Sequence, residues 1–169
     1  MKTNRANNFL RLCLLALLLI GAGQLKAQDV ELSIKYAQGV KHNHWAAFNG
    51  GFELSANYIY SLNDIRISSG IDLRTIQWGN QATVSLGLTK IISPRIELGL
   101  EVQNGLALFH PQSLYVFSVG SNCDFTLVNN DKLHMGFSLE ARYSICPEYR
   151  SYGQIYQVCE IPFGIFIRF

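Results

Sequence analysis

Tyr156-Gln-Val-Cys-Glu-Ile-Pro-Phe-Gly-Ile-Phe-Ile-Arg-Phe169 closes the chain, and its reading decides the fold. Cys159, Ile161, Phe163, Ile165, Ile167 and Phe169 share one parity, and Val158, Glu160, Pro162, Gly164, Phe166 and Arg168 share the other. A period of two sustained over this length predicts a β-strand, because successive side chains of a strand point to opposite faces. An apolar strand carried to the final aromatic residue is unusual for a soluble domain, whose termini fray into polar tails.

Seven further alternating runs precede it: Val30–Tyr36, Gly51–Tyr60, Ile65–Thr75, Ala82–Ile91, Arg95–Gln103, Leu114–Leu127 and Leu133–Ile145. The connections alternate in length. Ser61–Asp64, Ile92–Pro94 and Val128–Lys132 are short, with turn-forming composition. Ala37–Gly50, Ile76–Gln81, Asn104–Ser113 and Cys146–Ile155 read as longer loops. Short turns therefore gather at one end of the structure with both termini, and loops gather at the other. The expected fold is all-β: an eight-stranded antiparallel up-and-down transmembrane β-barrel.

Met1–Ala27 has the three parts of an export signal. Lys2, Arg5 and Arg11 open it, Leu12–Ile20 is apolar, and Gly21–Ala27 is small and polar. The apolar run falls short of the roughly 20 residues of a membrane-crossing helix. Cys13 lies inside that run, too early for a lipoprotein anchor. The mature domain is expected to be 28–169. The signal holds Lys2, Arg5, Arg11 and Lys26 and no acidic residue, so its removal turns the chain's +2 into −2. That balance excludes nucleic acid as an implied partner.

Alternation alone leaves open which parity faces inward. A soluble barrel of the lipocalin kind would put the apolar parity inside. The polar parity is a poor water-facing surface. It carries one lysine, Lys35, and glycines at mid-strand (Gly70, Gly87, Gly99, Gly120, Gly136 and Gly164). It also carries both signs of charge: Lys35, Arg66, Arg74, Arg95, Arg142 and Arg168 with Glu31, Glu53, Asp72, Glu97, Glu101, Asp124, Glu140 and Glu160. Inside a tube these would have to pair, since an unpaired buried charge costs about several kcal/mol. An interior polar network of Glu53, Arg66, Asp72, Arg74, Glu97, Glu101, Glu140, Arg142 and Glu160 is expected. An eight-stranded barrel is just wide enough for its side chains to fill, so this network would plug the tube. Tyr36, Tyr58, Tyr60, Tyr115, Tyr143 and Phe169, near the strand ends of the apolar parity, suit the two bilayer interfaces.

Gly164, Ile167 and Phe169 resemble the terminal assembly signal of bacterial outer-membrane β-barrels, with Pro162 where that signal usually has a polar residue. In pattern the whole mature chain resembles the small eight-stranded outer-membrane barrels of the OmpA-membrane-domain and OmpX type. The resemblance implies location in the outer membrane, contact with outer-membrane lipid and lipopolysaccharide, recognition by the barrel-assembly machinery through the last strand, a monomer, and no cofactor. It implies a non-catalytic protein, either structural or using its outer loops for adhesion or ligand contact. Trp45, Phe48, Phe109, Tyr149 and Tyr152 are the aromatic candidates for that contact.

Two other readings stay open. In lipid A deacylases of this size the seventh strand carries His-x-Ser; here it reads Arg142-Tyr143-Ser144, followed by Glu148 and Glu160. Ser144 with Glu160 is the catalytic alternative, but arginine does not give up its proton to act as a base. The other reading is a soluble secreted barrel binding a small apolar ligand. His42, His44 and His110 fall in the outer connections without completing a metal set, so no metal is expected. Cys146 and Cys159 flank the last loop and could bridge it, leaving Cys123 free.

Overall fold

The computed structural model of the chain describes residues 29–42, 50–76, 79–109, 112–130, 132–151 and 154–169; the expected export signal lies outside them. Eight strands follow in order: β1 Asp29–His42, β2 Gly51–Leu62, β3 Ile65–Ile76, β4 Gly79–Ser93, β5 Ile96–Phe109, β6 Gln112–Asn130, β7 Leu133–Ser151 and β8 Gln154–Arg168. Each pairs antiparallel with the next, and β8 pairs with β1 to close the barrel. Closure leaves no free edge around the membrane-spanning wall.

The stretch that opened the reading is the closing strand. Its register against β1 runs from Glu31 opposite Arg168 to His42 opposite Val158. Phe169 completes the seam by exchanging two backbone hydrogen bonds with Val30, at 2.7 and 3.0 Å. Outside the seam, Tyr36 stacks edge-on against Phe52 on one side and Phe163 on the other, with centroids 5.3 and 5.8 Å apart. The short turns lie where expected. Asn63, with φ 53°, takes the left-handed position of the β2–β3 turn that asparagine tolerates.

The apolar parity faces outward. Tyr58 and Leu100 are each 62% exposed, and Ile71, Leu73, Leu88 and Phe163 are at least half exposed. An apolar exterior that runs round every strand has no soluble counterpart; it is the surface a bilayer covers. The inward parity is polar: Ser33, Glu53, Asp72, Thr83, Gln103, Glu140 and Arg142 are buried. The soluble-barrel reading requires the opposite orientation and fails on this point. Arg95, counted above with the inward charges, sits instead in the β4–β5 turn and is exposed.

The loop end departs most from the expectation. Asn104–Phe109 and Cys146–Ser151 were read as loop and are strand, paired with Gln112–Phe117 and with Gln154–Tyr156. Likewise β3 runs to Ile76 and β4 starts at Gly79. The reason is physical. At this end the inward residues Ala107, Val116, Cys146 and Val158 are as apolar as their outward neighbours, so the contrast of period two disappears while the strands continue.

Candidate functional site

The interior is built in tiers. Near the turns, Arg168 on β8 donates to Glu31 on β1 at 2.7 and 3.2 Å and reaches across to Glu97 on β5 at 3.2 Å. Arg66 on β3 joins the same Glu97. At mid-height Arg142 on β7 forms a fork. It donates to Glu53 on β2 at 2.5 and 2.8 Å, and to Glu140 at 2.7 and 2.9 Å. Lys35 on β1 adds a bond of 3.3 Å to Glu140. Toward the loops, Arg74 on β3 donates to Glu160 on β8 at 2.8 and 2.5 Å. Several of these pairs join strands that are not neighbours, so they brace the tube across its bore. Bidentate guanidinium–carboxylate geometry is the form in which buried charges compensate one another best.

Not every carboxylate is paired with a cation. Asp72 accepts from Thr83 Oγ1 at 3.4 Å and Glu101 accepts from Gln103 Nε2 at 2.7 Å. Asp124 accepts from Asn122 Nδ2 at 3.0 Å. The expectation that all inward charges form ion pairs is therefore corrected for these three, which are held by neutral donors. Beside Glu101, Asn122 and Asp124 lies a cavity of about 30 Å³, room for a water or two and not a pore.

The mid-strand glycines explain how the charges fit. A Cβ on Gly120 would stand 2.5 Å from Glu140 Oε1, and one on Gly99 would meet the side chains of Asn122 and Thr89. Gly70 and Gly87 likewise make room for Asn57 and Ser68. Above the ion pairs, Ile76, Ala107, Val116, Cys146 and Val158 form a buried apolar layer across the loop-end mouth, with Leu114 packed against it. Sequence reasoning missed this layer because three of its five residues, Ile76, Ala107 and Cys146, lay in stretches read as loop. The inward parity carried through Val116 and Val158 would have revealed it.

The other candidate residues scatter. Trp45, Phe48 and Tyr152 lie outside the described residues; Phe109 ends β5 and Tyr149 lies on β7. Ser144 points into the barrel, buried, and its Oγ hydrogen-bonds Ser118 Oγ at 2.8 Å. Glu160 is engaged by Arg74 and makes no hydrogen bond to Ser144. Among the described residues the geometry supplies this serine with a second hydroxyl and no base.

The bridge expected between Cys146 and Cys159 does not form. Cys146 is buried on the inward parity and Cys159 is exposed on the outward one, so their side chains leave the wall in opposite directions. Cys123, Cys146 and Cys159 form no disulfide with one another. With the folded protein in detergent, a maleimide is expected to label Cys159 and to reach Cys146 only after unfolding. Reductant should leave the unheated gel mobility unchanged, and a thiol that appears only on reduction would restore the bridge.

Together the outward apolar wall and the filled polar bore define a class: the chain has the fold of the small eight-stranded transmembrane β-barrels. Among solved structures it is similar to a de novo designed transmembrane β-barrel, with TM-score 0.50 and 10% identity over 85% of this chain and 98% of that one. It is also similar to Neisserial surface protein A, with TM-score 0.50 and 11% identity over 83% of this chain and 94% of that one. No protein-family model matches the sequence, and a comparison with curated proteins finds no match.

Proposed function

We propose that the protein is a non-conducting, non-catalytic barrel of the outer membrane whose loop-end hairpins are its contact surface. One observation carries the reading: the bore is cross-braced by ion pairs and covered by an apolar layer, leaving the outer end as the surface free for partners. That end is more than loops. Beyond Phe117 opposite Ile145, β6 and β7 part company. β6 continues only against β5 as far as Gln112, and β7 only against β8 as far as Ser151. Two hairpins thus rise beyond the last β6–β7 pair, their facing edges joined by no ladder among the described residues. Such edges accept extended partners or ligands.

The test uses protein extracted from membranes in detergent. Unheated samples should migrate anomalously and shift on boiling, and the protein in planar bilayers should give no unitary current. Discrete conductance steps would sink the proposal. Trimming the β7–β8 hairpin beyond Cys146 should abolish binding of cells to surfaces or ligands while the heat shift persists. Unchanged binding would remove the contact role.

A further inference from the structure

We propose that the turn-end rim over β4 to β7 binds the phosphate groups of anionic phospholipids. Lys90 lies on the outward parity of β4, exposed, opposite Ile65 on β3 and Leu98 on β5. Those two neighbours are themselves exposed and apolar, as are Leu88 and Ile92. An ammonium group cannot rest in hydrocarbon. Its stem lies along the apolar wall and its head reaches the headgroup layer.

Two further cations stand on the same rim. Arg95 is exposed in the β4–β5 turn and Lys132 in the β6–β7 turn. The structure ties these turns together: Thr126 N donates to the Arg95 carbonyl at 2.9 Å, and Asn129 Nδ2 donates to the Pro94 carbonyl at 3.2 Å. The cations inside the tube (Lys35, Arg66, Arg74, Arg142 and Arg168) are all in ion pairs. Lys90, Arg95 and Lys132 make none with a described residue. Asp131, beside Lys132, lies outside the described residues.

Among the described residues the rim also carries acidic groups. Asp29 begins β1, and Asp64, in the β2–β3 turn, bonds through its carbonyl to Ile91 N at 2.7 Å. Among the described residues the turn end is therefore basic over Lys90 and the β4–β5 and β6–β7 turns and acidic at Asp29 and the β2–β3 turn, the two signs meeting where Asp64 bonds to Ile91 beside Lys90. A fork donor and two ammonium groups at headgroup depth suit phosphate oxygens. A net negative headgroup is favoured over a zwitterionic one, whose choline or amine would compete for the phosphate.

The test compares vesicles of phosphatidylcholine alone with vesicles that also contain phosphatidylglycerol. The wild-type barrel should unfold at higher denaturant in the mixed vesicles and retain phosphatidylglycerol when extracted for native mass spectrometry. K90Q/R95Q/K132Q should lose both effects, with a several-fold drop in retained lipid, and still show the heat shift on gels. Should the triple variant fail to insert, K90Q alone and R95Q/K132Q should each lose part of the preference. D64N, on the acidic half, should keep it. A wild-type barrel indifferent to phosphatidylglycerol, or a folded triple variant that retains it, overturns the proposal. If inorganic phosphate added to phosphatidylcholine vesicles raises stability as much, the ligand is free phosphate and the lipid assignment falls.

Discussion

Arg142→Met is expected to lower the stability of the barrel by about 3–5 kcal/mol, the cost of leaving buried carboxylates without their counter-charge. Arg142 is 3% exposed and holds both Glu53 and Glu140, so its loss abandons two acids in the bore. Lys35 can still compensate Glu140, at 3.3 Å, but nothing comparable remains for Glu53. Arg142→Met with Glu53→Gln should therefore recover most of the loss, because a neutral pair of similar shape needs no compensation. Urea unfolding in detergent or vesicles measures both. If the single variant cost less than about 1 kcal/mol, the range of an exposed ion pair, water would be reaching this tier and the bore would not be dry.

Gly164→Ala is expected to cost more than any other glycine-to-alanine change at mid-strand whose neighbour is only a flexible side chain. Gly164 faces Lys35 across the β1–β8 seam. A Cβ there would overlap the Ile34 carbonyl oxygen and lie 2.6 Å from Lys35 Cα. Backbone cannot step aside without breaking the ladder that closes the barrel. Overpacking of this kind costs about 1–3 kcal/mol, and here it falls on the closing step itself. At Gly87 the nearest atom is the Ser68 hydroxyl, which can rotate away, so Gly87→Ala should be nearly silent. The fraction of protein that resists unfolding in the unheated gel separates the two. Equal fractions would show that the seam tolerates the extra carbon.

These expectations rest on features that were unequally legible. The parity of Ile161, Phe163, Ile165 and Ile167 against Glu160, Gly164 and Arg168 was enough to identify a half-lipid, half-polar strand, and the same contrast counted the other strands. The composition of the polar parity, rich in glycine and poor in lysine, was enough to turn it inward. Strand ends were legible only while the two faces differed. Where Ile76, Ala107 and Cys146 put apolar residues inside, the contrast vanished and strand was read as loop.

By itself the sequence determined the class, the number of strands, the end at which the turns lie and the face that residues of the alternating runs present, Arg95 excepted. All of these follow from local periodicity, which is a property of neighbours along the chain. Only the tertiary structure decided the partners. Arg142 with Glu53, Arg74 with Glu160 and Arg168 with Glu97 are joined across the bore by register and closure, over separations that no local pattern encodes. The same holds for Cys146 and Cys159, near in sequence and plausible as a bridge. A strand sends alternate side chains to opposite sides of its sheet, and the closed wall stands between the two thiols.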